Sequence, residues 1–351
     1  MEENWIINKS DRILITGANG FIGSRVFEIL LEYGFTKLRC FVRSSRNLSN
    51  LQRIADSSKA DVEFLKGNLF SQDDCINATK DVAVIYHLAI GSSGKSFPNA
   101  FMNAVIPTKN LLEASLQHTS LKRFVNISSF AVYSNRKKPK WNLLDETCPV
   151  EKHPELRDDA YAFAKLKQDE IVIEYGKKHG IESVFLRPGA VYGPDNCSIT
   201  GRVGTDTFGI FMHLGGSNTI PFTYVDNCAE AIILAGIVKG ISGELFNVVD
   251  DDLPTSRQFL SLYKKNVKRF RSISIPKFLS YLLCFLWEKY SVISEGQLPP
   301  KFSRSEWHAY WKKTHYSNAK IKHLLGWKMK VPTEEGLNRY FESCRKGGEH
   351  A

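Results

Sequence analysis

Residues Ile13 to Gly23 read Ile-Leu-Ile-Thr-Gly-Ala-Asn-Gly-Phe-Ile-Gly, an apolar run that stops at three glycines and gives way to a helical pattern. This is the signature of a strand, a tight turn and a helix start. Gly17, Gly20 and Gly23 stand at intervals of three. The first is free to turn sharply, the second leaves bare backbone for a ligand, and the third lets helix pack close to strand. Apolar residues then recur at helical spacing from Phe21 to Leu31, and the helix start offers backbone N–H groups and the positive end of its dipole to a diphosphate. Glycine triplets also serve plain strand-to-helix turns. Set between a strand and a helix, this one points to a dinucleotide.

The pattern repeats outward from this stretch. Lys37–Val42 and Asp61–Leu65 read as strands separated by the polar stretch Arg43–Ser58. Asp81–Ala89 is a continuous apolar run, as in a parallel strand buried on both faces, and Phe101–Leu116 follows with helical periodicity. Arg123–Ser128 and Ile181–Leu186 are further strands, with a long helix from Asp159 to Lys178 between them. Six strands with intervening helices predict an α/β fold, a doubly wound parallel sheet. Past Tyr192-Gly193-Pro194 the alternation weakens: Asp195–Asn218 reads as loops around a short helix, Thr207–Leu214. Val225–Val238 then reads as a helix and Glu244–Val249 as a strand rejoining the sheet, followed by helices at Thr255–Phe270 and Lys277–Tyr290. The expected division is a nucleotide-binding domain over residues 1–190, joined again by 225–250. Residues 191–224 and 251–351 form a smaller, mostly helical substrate lobe over the carboxyl edge of the sheet.

A chain of 351 residues can bury an ample core. Lys and Arg number 47 against 37 Asp and Glu, a net +10, which suits anionic ligands such as phosphorylated cofactors but does not by itself choose among cofactor, nucleic acid and membrane. Basic residues cluster only at Arg136-Lys137-Lys138 and from Lys264 to Arg271. Seven cysteines without a C-x-x-C pair argue against a disulfide framework or zinc site, and the histidines lack i, i+4 pairing, so no metal is expected. Glu2, Glu3 and Asp11 flank an N-terminus without the apolar core of a signal peptide, and a reducing cytoplasm is the expected compartment. The apolar segment Phe278–Trp287 is shorter than the ~20 residues of a span and reads as a buried or interfacial helix, most simply as core of the lobe.

A second landmark is Tyr161-Ala162-Phe163-Ala164-Lys165, where a phenol and an ammonium at i and i+4 share one helix face. The nearby cation favours the phenolate, which suits Tyr161 to proton transfer. Any helix can carry such a pair. Ser128-Ser129, at the carboxyl end of a preceding strand where hydroxyls face the cofactor crevice, supplies a group to orient a carbonyl.

With these residues in order, the chain resembles the extended short-chain dehydrogenase/reductase family, also called the NAD-dependent epimerase/dehydratase family. The resemblance rests on Thr16 to Gly23, His87-Leu88-Ala89, Ile127-Ser128-Ser129 with Val132-Tyr133, Tyr161 to Lys165, Arg187 to Pro194 and Tyr224-Val225-Asp226, and it covers nearly the whole chain. It implies Ser129, Tyr161 and Lys165 as catalytic residues, with Lys165 also a ribose ligand. Gly17, Asn19, Gly20, Phe21, Ile22 and Gly23 would hold the diphosphate. Leu88 and Ala89 would line the cofactor, Asn68 and Leu69 would flank its adenine, and Pro188, Ala190 and Val191 would lie beside its nicotinamide. Asn103 is a further ligand candidate, although Asn103-Ala104-Val105-Ile106-Pro107-Thr108 is one residue out of the usual register. A homodimer through the helices at 101–116 and 159–178 is a family expectation.

An acidic residue after the second strand would accept hydrogen bonds from a ribose 2′-hydroxyl and repel a 2′-phosphate. Here Arg43-Ser44-Ser45-Arg46 stands at that place, so Arg43, Ser44 and Arg46 favour NADP, with NAD as the alternative. Phe130 and Ala131 occupy the place of the acidic pair found in the family's dehydratases. Ala190 replaces an epimerase Asn that touches substrate phosphates. The resemblance therefore implies a reductase or dehydrogenase for a ketone or secondary alcohol, as in the 3β-hydroxysteroid-dehydrogenase-like and dihydroflavonol-reductase-like branches. A nucleotide-sugar epimerase, with Arg202, Lys239 and Arg257 available, and a non-catalytic NADP-binding scaffold are the alternatives. The expected partner is a small-molecule substrate, not nucleic acid.

Overall fold

Ile13, Leu14 and Ile15 are wholly buried, because the strand they form lies inside a sheet covered on both faces. The computed structural model describes residues 4–44, 48–90, 96–136, 142–157, 159–207, 209–294 and 303–348. Its elements run β1 (Arg12–Thr16), α1 (Phe21–Glu32), β2 (Lys37–Val42), α2 (Leu48–Asp56), β3 (Asp61–Lys66), α3 (Gln72–Thr79), β4 (Val82–His87), α4 (Phe97–Ser115) and β5 (Arg123–Ile127). Then come β6 (Leu143–Leu144), α5 (Ala160–His179), β7 (Ser183–Pro188), β8 (Ala190–Tyr192), β9 (Gly204–Thr207), β10 (Ile210–His213), β11 (Phe222–Tyr224), α6 (Val225–Ile237) and β12 (Leu245–Val248). The chain ends with α7 (Ser256–Asn266), β13 (Ser272–Ser274), α8 (Lys277–Ile293), α9 (Arg304–Tyr310), β14 (His315–Tyr316), α10 (Ala319–Leu325) and α11 (Thr333–Gly348).

Seven strands form one sheet in the order β12-β7-β5-β4-β1-β2-β3, and every pair within it is parallel. Strands β4, β5 and β7 are buried along their whole length, the mark of a sheet sandwiched between helices. Edge strand β3 alternates between exposed and half-buried residues. Ile13, Ile15, Val84, Tyr86 and Val125 pack toward α1 and α6. Leu14, Ile85 and Phe124 pack toward Leu111 and Leu112 of α4 and Val172 and Tyr175 of α5. The doubly wound architecture expected from the alternation is therefore what the chain forms, with β12 as the strand that returns.

Local chemistry fixes the element that matters most to the site. Asp159 caps α5 by accepting from the Ala162 N–H at 2.9 Å. Gly180 ends the helix in the left-handed region, with Lys177, Lys178 and His179 in the last turn against the dipole.

Residues beyond β7 build a second apolar cluster around Tyr192, Val203, Phe222, Tyr224, Phe259, Tyr340 and Phe341, joined by helices α7 to α11. Two expectations are corrected there. Thr207–Leu214 is not a helix: β9 and β10 pair antiparallel, with Met212 opposite Thr205 and His213 opposite Gly204. Gly209 adopts φ +76, and Phe211 and His213 are buried while Ile210 and Met212 are not, a period of two where a helix needs 3.6. The cysteines also include one pair. Cys197 and Cys344 form a disulfide across a sequence separation of 147 with Cα atoms 5.1 Å apart, while the other five form no disulfide and are buried. Spacing rules tuned to C-x-x-C motifs cannot see so distant a partner.

Candidate active site

The glycine turn is built as tightly as its spacing suggests. Gly17 sits at φ +72, and a Cβ there would lie 3.0 Å from the backbone of Ala89. At Gly23 a Cβ would meet the Gly17 carbonyl oxygen at 2.1 Å. Gly20 is the N-cap of α1 and, having no side chain, leaves the helix start without a side-chain cap; the first turn also carries no acidic residue. Bare N–H groups at the positive end of a helix are the donor set a diphosphate requires.

Around this turn opens a cleft of about 420 Å³. Gly17, Asn19, Gly20, Phe21, Ile22, Gly23, Arg43, Asn68, Leu69, Leu88, Ala89 and Asn103 all line it, together with Phe41, Gly67, Phe70, Ile90, Pro107 and Ile127. Twelve of the residues named from sequence thus share one concavity. Phe41, Phe70 and Pro107, not named from sequence, supply apolar wall. Ser44 stands exposed at the rim, its carbonyl accepting from Asn19 Nδ2 at 3.4 Å. Arg46 lies outside the described residues. Pro188, Ala190 and Val191 stand at the carboxyl end of β7, where Ala190 N–H donates to the Pro221 carbonyl at 2.7 Å.

Ser129, Tyr161 and Lys165 converge near the carboxyl end of β5. The Ser129 side chain stands beside the Tyr161 hydroxyl, and Ser129 Oγ accepts from the Ala131 N–H at 3.1 Å. Ser128 faces the other way, its Oγ donating to Asp169 Oδ2 at 2.7 Å. Tyr161 keeps 36% of its surface exposed. Burial of its hydroxyl end nevertheless holds the phenol above its ordinary pKa, with Asp159 and Asp169 adding to the rise and the neighbouring Ser129 side chain opposing it. The reading that Lys165 pulls this phenol down therefore does not describe the chain as it stands. The Lys165 ammonium donates instead to the Ile127 carbonyl at 2.6 Å and to Gln168 Oε1 at 3.0 Å. Burial brings that ammonium down to about 8, against a smaller opposing pull from Asp169.

Behind these groups runs a buried polar network that sequence reasoning missed. Gln168 Nε2 donates to Thr108 Oγ1 at 2.9 Å, and that hydroxyl spends its single proton on the Ala104 carbonyl at 2.7 Å. His87 Nε2, 2.9 Å from the same oxygen, must then be the donor, which leaves His87 Nδ1 to accept from Thr16 Oγ1 at 2.9 Å. Burial, aided by the Lys165 charge, holds the imidazole neutral by lowering its pKa to about 3. Thr16 Oγ1 in turn accepts from the Ala89 N–H at 3.2 Å. Hydrogen bonds thus link Lys165 to the glycine turn and the cleft wall. Alongside, Asp169 accepts from Asn126 Nδ2 at 2.8 Å and from Arg187 Nη2 at 3.2 Å. Its carboxyl is raised by burial, with Arg187, Ser128 and Lys165 opposing. Gln168 and Asp169 follow Lys165 at i+3 and i+4, so their place on its helix face was the available signal.

A parallel sheet with a glycine turn at its first strand, and with hydroxyl, phenol and ammonium gathered at its carboxyl rim, defines a nucleotide-binding α/β enzyme. The NAD dependent epimerase/dehydratase family model matches residues 13–248, and the chain belongs to that family, which makes it an enzyme of the extended short-chain dehydrogenase/reductase type. A trifunctional UDP-glucose 4,6-dehydratase/UDP-4-keto-6-deoxy-D-glucose 3,5-epimerase/UDP-4-keto-L-rhamnose-reductase of Arabidopsis thaliana is 28% identical over 263 residues; the match takes in 68% of this chain and only 37% of that protein. The sterol-4-alpha-carboxylate 3-dehydrogenase, decarboxylating, of Mus musculus is 24% identical over 354 residues, covering 96% of this chain and 92% of its own. In three dimensions the chain is similar to UDP-glucuronic acid 4-epimerase from Bacillus cereus in complex with NAD. The TM-score is 0.70 at 22% identity, covering 97% of this chain and 98% of that one.

Proposed function

We propose that the protein is an NADP-linked oxidoreductase that interconverts a ketone and a secondary alcohol, with Tyr161 as general acid/base. The observation that carries the reading is the placement of the Ser129 side chain beside the Tyr161 hydroxyl, next to a cleft whose glycines leave no room for a Cβ at Gly17 or Gly23. Those glycines, the uncapped start of α1 and the apolar walls fit a dinucleotide, with Arg43 at the adenosine end of the cleft. When bound, the nicotinamide supplies or accepts the hydride at the substrate carbon.

The chain's own residues handle the oxygen. Ser129 Oγ donates a hydrogen bond to the carbonyl oxygen and fixes its position. Tyr161 hands the same oxygen its proton, and a phenol held above its ordinary pKa by burial stays protonated and ready to give it. Lys165, whose ammonium burial brings down to about 8, stands behind as the group that restores charge balance.

Reduction is favoured over the family's other chemistries by what surrounds the site. Phe130 is 3% exposed and Ala131 is 7% exposed, and neither can protonate a leaving hydroxyl. Of the cations that a nucleotide sugar would need, Arg202 is committed to the Ala309 carbonyl at 3.1 Å and to the face of Tyr310. Mixing the protein with NADPH and ketones, steroids or nucleotide sugars tests the reading: stoichiometric loss of cofactor absorbance with a ketone supports it. Isomerisation of a nucleotide sugar without net absorbance change makes the protein an epimerase, and no turnover at all leaves a binding scaffold. Met102, Leu116 and Ile173, exposed on or beside α4 and α5, support a homodimer through these helices, which gel filtration would reveal.

A further inference from the structure

Helix α8 is amphipathic in the wrong sense for a lobe helix. Its protein-facing residues include Ser280, Cys284 and Ser291, all buried, while its large apolar side chains face out. Phe278 is 79% exposed, Leu286 52%, Tyr290 55% and Ile293 76%, and Leu279, Leu282 and Leu283 are also exposed. Positions 278, 282, 286, 290 and 293, with 279 and 283 beside them, form one stripe along the helix. The helix is firmly seated on its other side. Ser280 Oγ accepts from Trp307 Nε1 at 2.9 Å, Cys284 packs with Leu214 and Trp311, and Glu288 pairs with Arg304 at 2.6 Å. A contiguous apolar surface of this extent on a docked helix marks an interaction face, not slack packing.

Charge selects the occupant. From Lys264 to Ser294 the chain carries seven cations against the single acid Glu288, a net +6 out of +10 for the whole protein. Lys265, Lys268, Arg269 and Arg271 are exposed, and Ile273, between them and the helix, is 54% exposed. Basic residues beside a large apolar face are what an anionic lipid surface binds, the side chains entering the acyl boundary and the cations meeting the headgroups. A second copy of this chain would bring the same positive segment against itself. We propose that α8 docks in the plane of an anionic phospholipid bilayer. It does not cross: its 17 residues reach about 26 Å, short of the ~30 Å hydrocarbon core, its seated face carries Ser280, Glu288 and Ser291, and among the described residues no helix is long and apolar enough to span a membrane.

Flotation of the full-length protein with vesicles of phosphatidylcholine, with and without phosphatidylserine, tests this. The protein should float with the mixed vesicles at least ~10-fold more than with phosphatidylcholine alone. Leu283→Asp with Leu286→Asp should abolish flotation. Lys268→Glu with Arg269→Glu should remove the preference for phosphatidylserine. All four positions are exposed, so melting temperature and NADPH binding should stay unchanged, which separates lost docking from lost folding. Flotation of the Leu283/Leu286 variant at the native level would overturn the proposal, as would equal binding to both vesicle types. So would sedimentation showing a native dimer that this variant splits while neither protein floats, which would make the face an interface between copies.

Discussion

Two alanine substitutions at the glycine turn should separate folding from cofactor binding, because the space around the glycines differs. At Gly23 an added Cβ lies 2.1 Å from the Gly17 carbonyl oxygen, 2.9 Å from its carbon and 3.0 Å from Ala18 Cα. All three are backbone atoms of the turn, so relief requires moving α1 against β1 by about 1 Å, at the upper end of overpacking costs, about 3 kcal/mol. With an unfolding entropy of roughly 2.1 cal/mol/K per residue over 351 residues, that lowers Tm by about 4 °C. At Gly20 the nearest atom is the Gly17 oxygen at 3.2 Å, and the backbone is extended, φ −86 and ψ 173, which alanine adopts freely. Gly20→Ala should therefore stay within about 1 kcal/mol of the native stability. Its methyl nonetheless stands where a diphosphate meets bare N–H groups, and NADPH affinity should fall at least ~10-fold, about 1.4 kcal/mol. Thermal denaturation and fluorescence titration with NADPH read the two quantities. The reasoning fails if Gly20→Ala melts as early as Gly23→Ala, or if it binds NADPH like the native protein.

Tyr161→Phe removes only the proton-bearing oxygen and should lower kcat by about 100-fold or more while leaving NADPH affinity intact; near-native turnover would exclude Tyr161 as the acid/base. Arg43→Ala should weaken NADPH binding and leave NADH binding nearly unchanged, narrowing the preference between them; equal affinities in the native protein, unmoved by the substitution, would refute a 2′-phosphate site there. Lys165 titrates at about 8 in the fold against 10.5 ordinarily. Between those values the native state holds fewer protons than the unfolded chain, so the residue's contribution to stability rises as pH climbs from 8 to 10.5. Urea denaturation should show the native protein gaining on Lys165→Met by up to about 3 kcal/mol across that range, and a pH-independent difference would refute it.

Much of the nucleotide half was legible because it rests on short-range rules. Glycines with no room for a Cβ, apolar runs such as Val82–His87 buried on both faces and a capped α5 are written in neighbouring residues, and the strands they announce all fall in one parallel sheet. What failed depended on distant partners. Ile210–His213 looks apolar enough for a helix until Gly209 turns it into a hairpin whose partner is β9. The link between Cys197 and Cys344 depends on α11 returning to the loop after β8. The α8 stripe was legible as apolar but not as outward-facing, since the sequence does not reveal that Ser280, Cys284 and Ser291 are the residues turned inward.

The network under Lys165 shows why the site residues alone were an incomplete reading. An ammonium, a carboxylate and a guanidinium, each at most 6% exposed at Lys165, Asp169 and Arg187, are costly unless they satisfy one another, and removing one partner strands the others. The fold keeps them because together they fix positions that one residue cannot. Asp169 draws Ser128 inward and away from the cleft, which leaves Ser129 as the hydroxyl available to Tyr161. Gln168 holds Lys165 while Thr108 and His87 carry the same chain of hydrogen bonds to Thr16, the residue immediately before Gly17. Disturbing Gln168 would therefore be felt at Lys165, which it touches, and at the glycine turn, which it does not.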